Sequence, residues 1–334
     1  TGEPLTYFEV VTAAAFLYFR IKSVEVAVLE VGMGGKWDAT NVVDCEVAVI
    51  TNIGLDHTSE LGDTTARIAS EKVGVINEGS ILVTAESDRD ILMIMAEKCS
   101  EVGAEMKVFG RDFRIEYLLP YRVAGEPPAQ VATFRGTDGV YFKDVRLPLL
   151  GKYQAVNAAC AVAASQGYTG PRRKTDPGLY VQALESVKAP GRMEILSERP
   201  LVVADGAHNP MAVDRLANAL ATEFEEQRPV MVVSILEDKD ARGMLRILGS
   251  VARELVLTEN RSARSLPARR LGDYCRMEGI RHRVEPDFRR AMEVAYNNAG
   301  VSGLICVTGS LYTVAEARIY FRRQRASREM RQDR

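Results

Sequence analysis

Residues Val26–His57, VAVLEVGMGGKWDATNVVDCEVAVITNIGLDH, decide the fold. Two short apolar runs, Val26–Val31 and Val47–Thr51, are rich in β-branched residues, too short for helices, and bounded by Gly and Asp. That texture predicts two buried strands. The first run delivers Glu30 and then a glycine-rich turn, Gly32-Met33-Gly34-Gly35; the second delivers Asn52, Gly54, Asp56 and His57. In a parallel sheet, ligands collect at the carboxyl ends of the strands. A carboxylate and an imidazole at two such ends point to a metal or phosphate site, and Mg²⁺ is the ion in keeping with so few protein ligands. Blander readings stand beside this one. Glu30 could pair with a cation on a neighbouring strand, Asp56-His57 could cap a helix, and Gly32–Gly35 could be only a turn needing positive φ.

Around this stretch the chain alternates. Helical spacing predicts helices over Thr6–Ile21, Thr58–Asn77 and Asp88–Val102, with strands at Ser80–Thr84 and Met106–Phe109. Such alternation implies a parallel sheet with crossover helices. Between Asp112 and Leu149 the texture changes to short β-like runs and an Arg135–Gly139 turn, which predicts an antiparallel hairpin region appended to the sheet. Gly151-Lys152-Tyr153-Gln154 opens an alanine-rich helix, Ala155–Ala164, and a polar loop follows over Gly167–Gly178. A second α/β rhythm starts after Pro190-Gly191. Its strands are expected at Leu201–Ala204, Val230–Ile235, Glu254–Thr258, His282–Val284 and Gly303–Thr308. Helices are expected over Ala212–Glu225, Ala241–Ser250, Pro267–Glu278, Phe288–Ala299 and Tyr312–Arg323. The boundary falls at Lys188–Gly191, giving domains 1–189 and 190–334.

Composition narrows the function classes. The 334 residues carry a formal net charge of −2, so nothing global points to nucleic acid or to an anionic membrane. The six arginines of the terminal FRRQRASREMRQDR read as a solvated helix end. Five scattered cysteines (45, 99, 160, 275 and 306) show no metal-finger spacing and read as reduced thiols of a cytoplasmic protein. The apolar stretch Val10–Phe19 is too short to span a bilayer, and no signal peptide is visible. The chain starts at Thr1 without Met, from which a preceding segment is expected.

No self-sufficient nucleotide signature is present. Gly35-Lys36 is followed by Trp and Gly151-Lys152 by Tyr, so GxxxxGK[ST] does not occur, and Trp37 stands where GxGxxG needs its third glycine. In the second half, VVADGAHNP (202–210) repeats the build of strand, Asp, turn and helix. Asp205 could cap that helix, but Asp, His and Asn in one strand-end loop are more typical of a site. Glu237-Asp238-Lys239-Asp240 reads most simply as a solvated turn.

Seven ordered blocks now carry a resemblance: VLEVGMGGKWDATNVVD, ITNIGLDHTSELGDTTARIASEKVGVI, LLGKYQAVNAACAVAA, APGRMEI, VVADGAHNP, EDKD and VTGSLY. Together they resemble the folylpolyglutamate synthase/dihydrofolate synthase family of Mur-type ATP-dependent amide ligases, over nearly the whole chain. The resemblance implies an N-terminal parallel-sheet nucleotide-binding domain and a C-terminal Rossmann-like α/β domain. It implies Glu30 and His57 as magnesium ligands, with one or two Mg²⁺ ions, and Lys72 as a carbamylated lysine. Thr6, Tyr7, Phe8 and Glu9, with Trp37, Asp38 and Ala39, match pterin-holding segments. Asn157, Arg192 and Asp205 match ATP-binding positions, and His208 lies where phosphate and incoming glutamate would meet. Two departures stand out: Tyr153 occupies a position where many members have His, and Trp37 replaces a commoner Leu.

The implied reaction is phosphorylation of a folate carboxylate by ATP, followed by attack of the L-glutamate amine on the acyl phosphate. It joins glutamate to reduced folates, to dihydropteroate, or to both, in a monomeric enzyme that takes small molecules alone. The chemistry asks for positioning and charge neutralisation, with water excluded from the intermediate. The family's phosphate loop and folate-covering loop precede the matched blocks, and a polypeptide that truly begins at Thr1 is expected to be inactive. Competing readings are a Mur-type ligase of cell-wall synthesis, a non-catalytic nucleotide- or folate-binding remnant, and a metal-dependent phosphohydrolase built on Glu30, Asp56 and His57.

Overall fold

The computed structural model describes residues 4–55, 58–123, 125–170, 176–224 and 227–332. It divides into two compact units that exchange segments along the chain. One comprises residues 1–115, 134–142 and 156–177; the other comprises 116–133, 143–155 and 178–334. Residues 178–189, assigned to the first domain on sequence, thus belong with the second unit.

The first unit opens with α1 (Tyr7–Lys22). Thr6 and Glu9 start it with a complete capping box: the Thr6 hydroxyl accepts from the Glu9 amide, and the Glu9 carboxylate accepts from the Thr6 amide at 2.7 Å. A three-stranded parallel sheet follows in the order β1 (Val47–Ile50), β2 (Ile81–Thr84) and β3 (Glu105–Val108). Helix α2 (Thr58–Leu61), helix α3 (Thr65–Lys72) and a 3₁₀ turn over Val73–Val75 connect β1 to β2, and α4 (Arg89–Val102) connects β2 to β3. Ala48, Ile50, Ala69, Leu82, Ile91 and Met95 form the core. Two expectations fail here. The helix placed over Thr58–Asn77 breaks at Gly62, whose φ of +105° is left-handed, and Thr64 caps a new helix by accepting from the Arg67 amide. The run Val26–Val31 belongs to no ladder, and Val28 is 94% exposed. Strand propensity reports how side chains fit a pleated surface. It cannot supply a partner, and β1 pairs only with β2 among the described residues.

A second three-stranded sheet runs β4 (Arg114–Tyr121), β5 (Ala129–Arg135) and β6 (Tyr141–Leu147). The turn from Gly136 to Val140 is too short for anything but an antiparallel return, matching the hairpin expected there. Helix α5 (Lys152–Thr169) follows, then α6 (Pro177–Ser186), most of which lies in a stretch to which the sequence reading assigned no element.

The second unit holds a six-stranded sheet in the order β11-β10-β9-β12-β8-β7. Its parallel strands are β8 (Leu201–Ala204), β9 (Val230–Val233), β10 (Glu254–Leu257), β11 (His282–Val284) and β12 (Leu304–Thr308). An antiparallel edge strand, β7 (Glu194–Glu198), was not foreseen. Side-chain alternation distributes the strands between two cores. Val203, Met231, Val233, Leu255 and Cys306 pack under α7 (Pro210–Glu223), α8 (Ala241–Val251) and α9 (Ala268–Met277). Val202, Val232, Val256, Ile305 and Val307 pack under α10 (Phe288–Ala299) and α11 (Leu311–Gln332). A chain buried on both faces explains why β9 reads VMVV with no polar residue. At β12 the crossovers diverge. Helix α7 leaves β8 toward one face and α11 leaves β12 toward the other, so the carboxyl ends of these two strands form a topological switch point, the place where open α/β sheets bind ligands.

Candidate active site

In the second unit Asp205 follows β8 directly at this switch point. It does not cap α7; Asn209 does, accepting from the Ala212 amide at 2.8 Å, with Pro210 in the first turn. Asp205 is 4% exposed and accepts three hydrogen bonds: from the Met193 amide at 2.9 Å, the Ala207 amide at 2.9 Å and the Tyr153 hydroxyl at 3.4 Å. Burial holds its carboxyl above the usual carboxylate range, opposed by the two amides and by the charge of Arg192. Burial and the adjacent carboxylate push the Tyr153 phenol upward, so it stays a donor at any working pH.

The Arg192 neighbourhood is tightly folded. Gly191 has φ of +72°, and its carbonyl accepts from the Gly206 amide at 2.8 Å. A Cβ on Gly206 would stand 3.3 Å from an Arg192 guanidinium nitrogen and 2.4 Å from the Leu311 side chain at the start of α11, which would have to shift to admit it. Met193 takes a left-handed φ of +49°, costly for a residue with Cβ, and the bond from its amide to Asp205 holds it there. Arg192 also lines a cavity of about 570 Å³ with Arg146, Lys188 and Arg318 on its walls. His208 is half-buried, its Nδ1 2.8 Å from the Gly206 carbonyl. The structure thus brings Arg192, Asp205 and His208 into one strand-end neighbourhood. The EDKD segment is a turn, as expected, and ends in Asp240, which caps α8 through the Gly243 amide.

In the first unit the glycine-rich turn folds against the end of α3. The Lys36 amide donates to the Glu71 carbonyl at 3.0 Å. A Cβ on Gly35 would lie 2.8 Å from the Glu71 and Lys72 carbonyl oxygens, and one on Gly74 would lie 2.5 Å from Lys36 Cα. Helix α3 therefore returns Lys72 to the loop that follows Glu30, and Lys72 is half-buried there. Asp38 turns inward on its own loop: its carboxylate accepts from the Met33 amide at 2.9 Å and from the Thr40 amide and hydroxyl at 2.9 and 2.6 Å. Despite burial, those bonds leave its pKa below the ordinary value. Thr6 and Glu9 are occupied in the capping box, Phe8 lies over Gly32, and Tyr7 and Trp37 are exposed, while Ala39 is half-buried. The local roles of Asp38, Thr6 and Glu9 are those of loop and cap.

Glu30 is exposed and makes no hydrogen bond or ion pair among the described residues. Asp56 and His57 lie outside them, and no group of three or more His, Cys, Asp or Glu that could hold a metal ion occurs within them. A hard carboxylate oxygen with no protein partner, beside a glycine turn, suits Mg²⁺ in its donor chemistry. Asn157 lies on the exposed side of α5, in the first unit.

Comparison with known proteins supplies the rest. The Mur ligase middle-domain model matches residues 2–165, and the Mur ligase glutamate ligase domain model matches residues 191–311. The dihydrofolate synthase/folylpolyglutamate synthase of Mycobacterium tuberculosis is 37% identical over 343 residues, covering 96% of this chain and 70% of its own length. The chain belongs to the folylpolyglutamate synthase/dihydrofolate synthase family of Mur ligases. Its fold is shared with a structure of Mycobacterium tuberculosis folylpolyglutamate synthase complexed with ADP, at a TM-score of 0.86 and 34% identity, over 95% of this chain and 72% of that one. It is also shared with E. coli FolC in complex with DHPP and ADP, at a TM-score of 0.81 and 29% identity, over 96% and 72%. Family membership makes the Mur-ligase-like α/β architecture and the class of ATP-dependent folate glutamate ligase the frame for the residues above.

One buried charge was missed on sequence. Glu223 sits on the buried stripe of α7 with Val213, Leu216 and Leu220. A carboxylate at an apolar position of an amphipathic helix was the available signal.

Proposed function

We propose that this chain carries the machinery by which ATP activates a folate carboxylate as an acyl phosphate and L-glutamate displaces the phosphate. The substrates are L-glutamate with reduced folates, dihydropteroate, or both. The observation that carries this reading is the likeness to folylpolyglutamate/dihydrofolate synthases over 96% of the chain. It favours folate over cell-wall substrates.

In this reading Asp205 and Arg192 are nucleotide-binding residues of the second unit, and Asn157 is taken, on the family likeness alone, as a nucleotide-binding residue of the first. Arg192 neutralises phosphoryl charge, and His208 stands where the glutamate amine arrives. Tyr7, Phe8, Trp37 and Ala39 offer apolar and aromatic surface for a pterin. Asp38 gives that loop its shape, and Thr6 and Glu9 fix the start of α1 beside it. Glu30 and His57 would hold Mg²⁺, which when bound screens the phosphate charges. The five described cysteines are free thiols, which suits a cytoplasmic enzyme, and we take it to act as a monomer.

Lys72 is assigned a carbamate, whose anion would orient charge near the glycine turn. Lys72→Ala in the complete natural polypeptide is expected to lose most activity and to regain part of it with acetate. Full activity without acetate contradicts the assignment. The acceptor itself is tested by ADP formation with dihydropteroate, tetrahydrofolate and UDP-muramyl substrates in parallel. Turnover is expected with one or both of the first two; turnover with the muramyl substrates alone assigns the chain to cell-wall synthesis.

A further inference from the structure

The Asp205 loop is held from a distance. Glu223, at the end of α7, is buried and binds on two sides: one carboxylate oxygen accepts from the Gly151 amide at 3.0 Å, the other pairs with the Arg122 guanidinium. Arg122 is itself fixed by the carbonyls of Tyr121 at 2.9 Å, Ala129 at 2.8 Å and Glu223 at 3.2 Å, and its guanidinium lies 5.7 Å from the Phe224 ring centre. Gln130, also buried, donates to the Leu149 and Gly151 carbonyls. Gly151 is therefore gripped through both its amide and its carbonyl, in a left-handed conformation with φ of +89°. A Cβ there would be 2.8 Å from the Tyr153 ring, so the grip and the missing side chain together set where that ring lies. The Tyr153 hydroxyl then reaches Asp205, which holds Met193 and, beside it, Arg192. All these residues belong to the second unit.

We propose that Arg122, Glu223 and Tyr153 are positioning residues that set the nucleotide affinity of the Asp205–Arg192 site through Gly151. The proposal rests on the reading of Asp205 as a nucleotide-binding residue. Each link is a directional bond between buried or half-buried groups, where a misplaced partner is costly and geometry is tightly specified. A relay of this kind acts on binding: it places a carboxylate and a guanidinium but touches neither substrate nor transferring phosphate. Its loss should raise the KM and Kd for ATP, and kcat should fall as well to the extent that Arg192, which neutralises phosphoryl charge, is displaced. A scaffold role alone would lower the melting temperature and the active fraction, leaving the affinity of the surviving enzyme intact.

The experiment uses the complete natural polypeptide and four variants: Tyr153→Phe, Glu223→Gln, the double variant, and Asp205→Asn. ADP binding is measured calorimetrically and ATP kinetics alongside. Tyr153→Phe removes a single oxygen, and Glu223→Gln keeps an acceptor for Gly151 while losing the charge that pairs with Arg122, so both are expected to fold. Each single variant should weaken ADP binding about 3- to 10-fold. The double variant should weaken it less than the product of the two, because both act on one path. Wild-type affinity in Tyr153→Phe and Glu223→Gln, with binding lost in Asp205→Asn, overturns the relay and leaves the nucleotide site standing. Wild-type affinity in Asp205→Asn overturns the nucleotide reading and the relay with it.

Discussion

Asp205→Ala is expected to be the most damaging single substitution in the second unit. The side chain satisfies the Met193 and Ala207 amides and the Tyr153 hydroxyl in a place that water does not reach. Removing it orphans three polar groups, at about 1–3 kcal/mol for each one left unpaired. It also releases Met193 from its left-handed conformation, which frees the neighbouring Arg192 backbone. Nucleotide affinity should fall by roughly 100-fold, and the melting temperature should fall with it. Asp205→Asn keeps one acceptor oxygen and should fall between the wild type and Asp205→Ala in both measurements. Equal nucleotide affinity in all three proteins contradicts the placement of Asp205 in the site.

Gly74→Ala tests the first unit in the same way. The added carbon would stand 2.5 Å from Lys36 Cα and 2.8 Å from the Lys36 nitrogen. Those are backbone atoms of the turn that lies against Lys72, so no side-chain rotation relieves the clash. Overpacking of this kind costs about 1–3 kcal/mol, which corresponds to a fall in melting temperature of roughly 1–4 °C for a protein of this size. Because the turn must move off α3, activity should fall more steeply than stability. Gly79→Asn is the matched control: Gly79 has φ of +66°, a conformation Asn tolerates, with nothing within 4 Å of the added carbon. An unchanged melting temperature in Gly74→Ala would show that the turn is not packed as described.

The same contacts explain what could be read from the sequence. Helix α1 was legible from the helical spacing of its apolar residues, and the structure adds a local start signal, the Thr6–Glu9 capping box. The parallel strands of the second unit were legible because burial on both faces leaves only apolar residues in strands such as Val230–Val233. Val26–Val31 has the same texture without a ladder, because strand formation is decided by a neighbour the run does not encode. The break at Gly62 was missed because apolar spacing continues across it, while positive φ at one residue is enough to end a helix.

The site shows the same division. VVADGAHNP marked Asp205, but not that its partners would be Met193 and Tyr153, 12 and 52 residues away. Arg122 and Glu223 stand 101 residues apart, and no local pattern links them. Asp38 shows the opposite hazard: a motif residue whose strongest contacts are with its own loop.

The central claim is that phosphate transfer from ATP is tied to joining glutamate to a folate. The most direct measurement follows ADP and product mass together, using the complete natural polypeptide with ATP, Mg²⁺, tetrahydrofolate or dihydropteroate, and L-glutamate supplied or withheld. ADP is expected only when glutamate and the folate or pteroate are both present, with one glutamyl residue added to the acceptor for each ADP formed. ADP and phosphate released at the same rate without glutamate, with the acceptor mass unchanged, would contradict it.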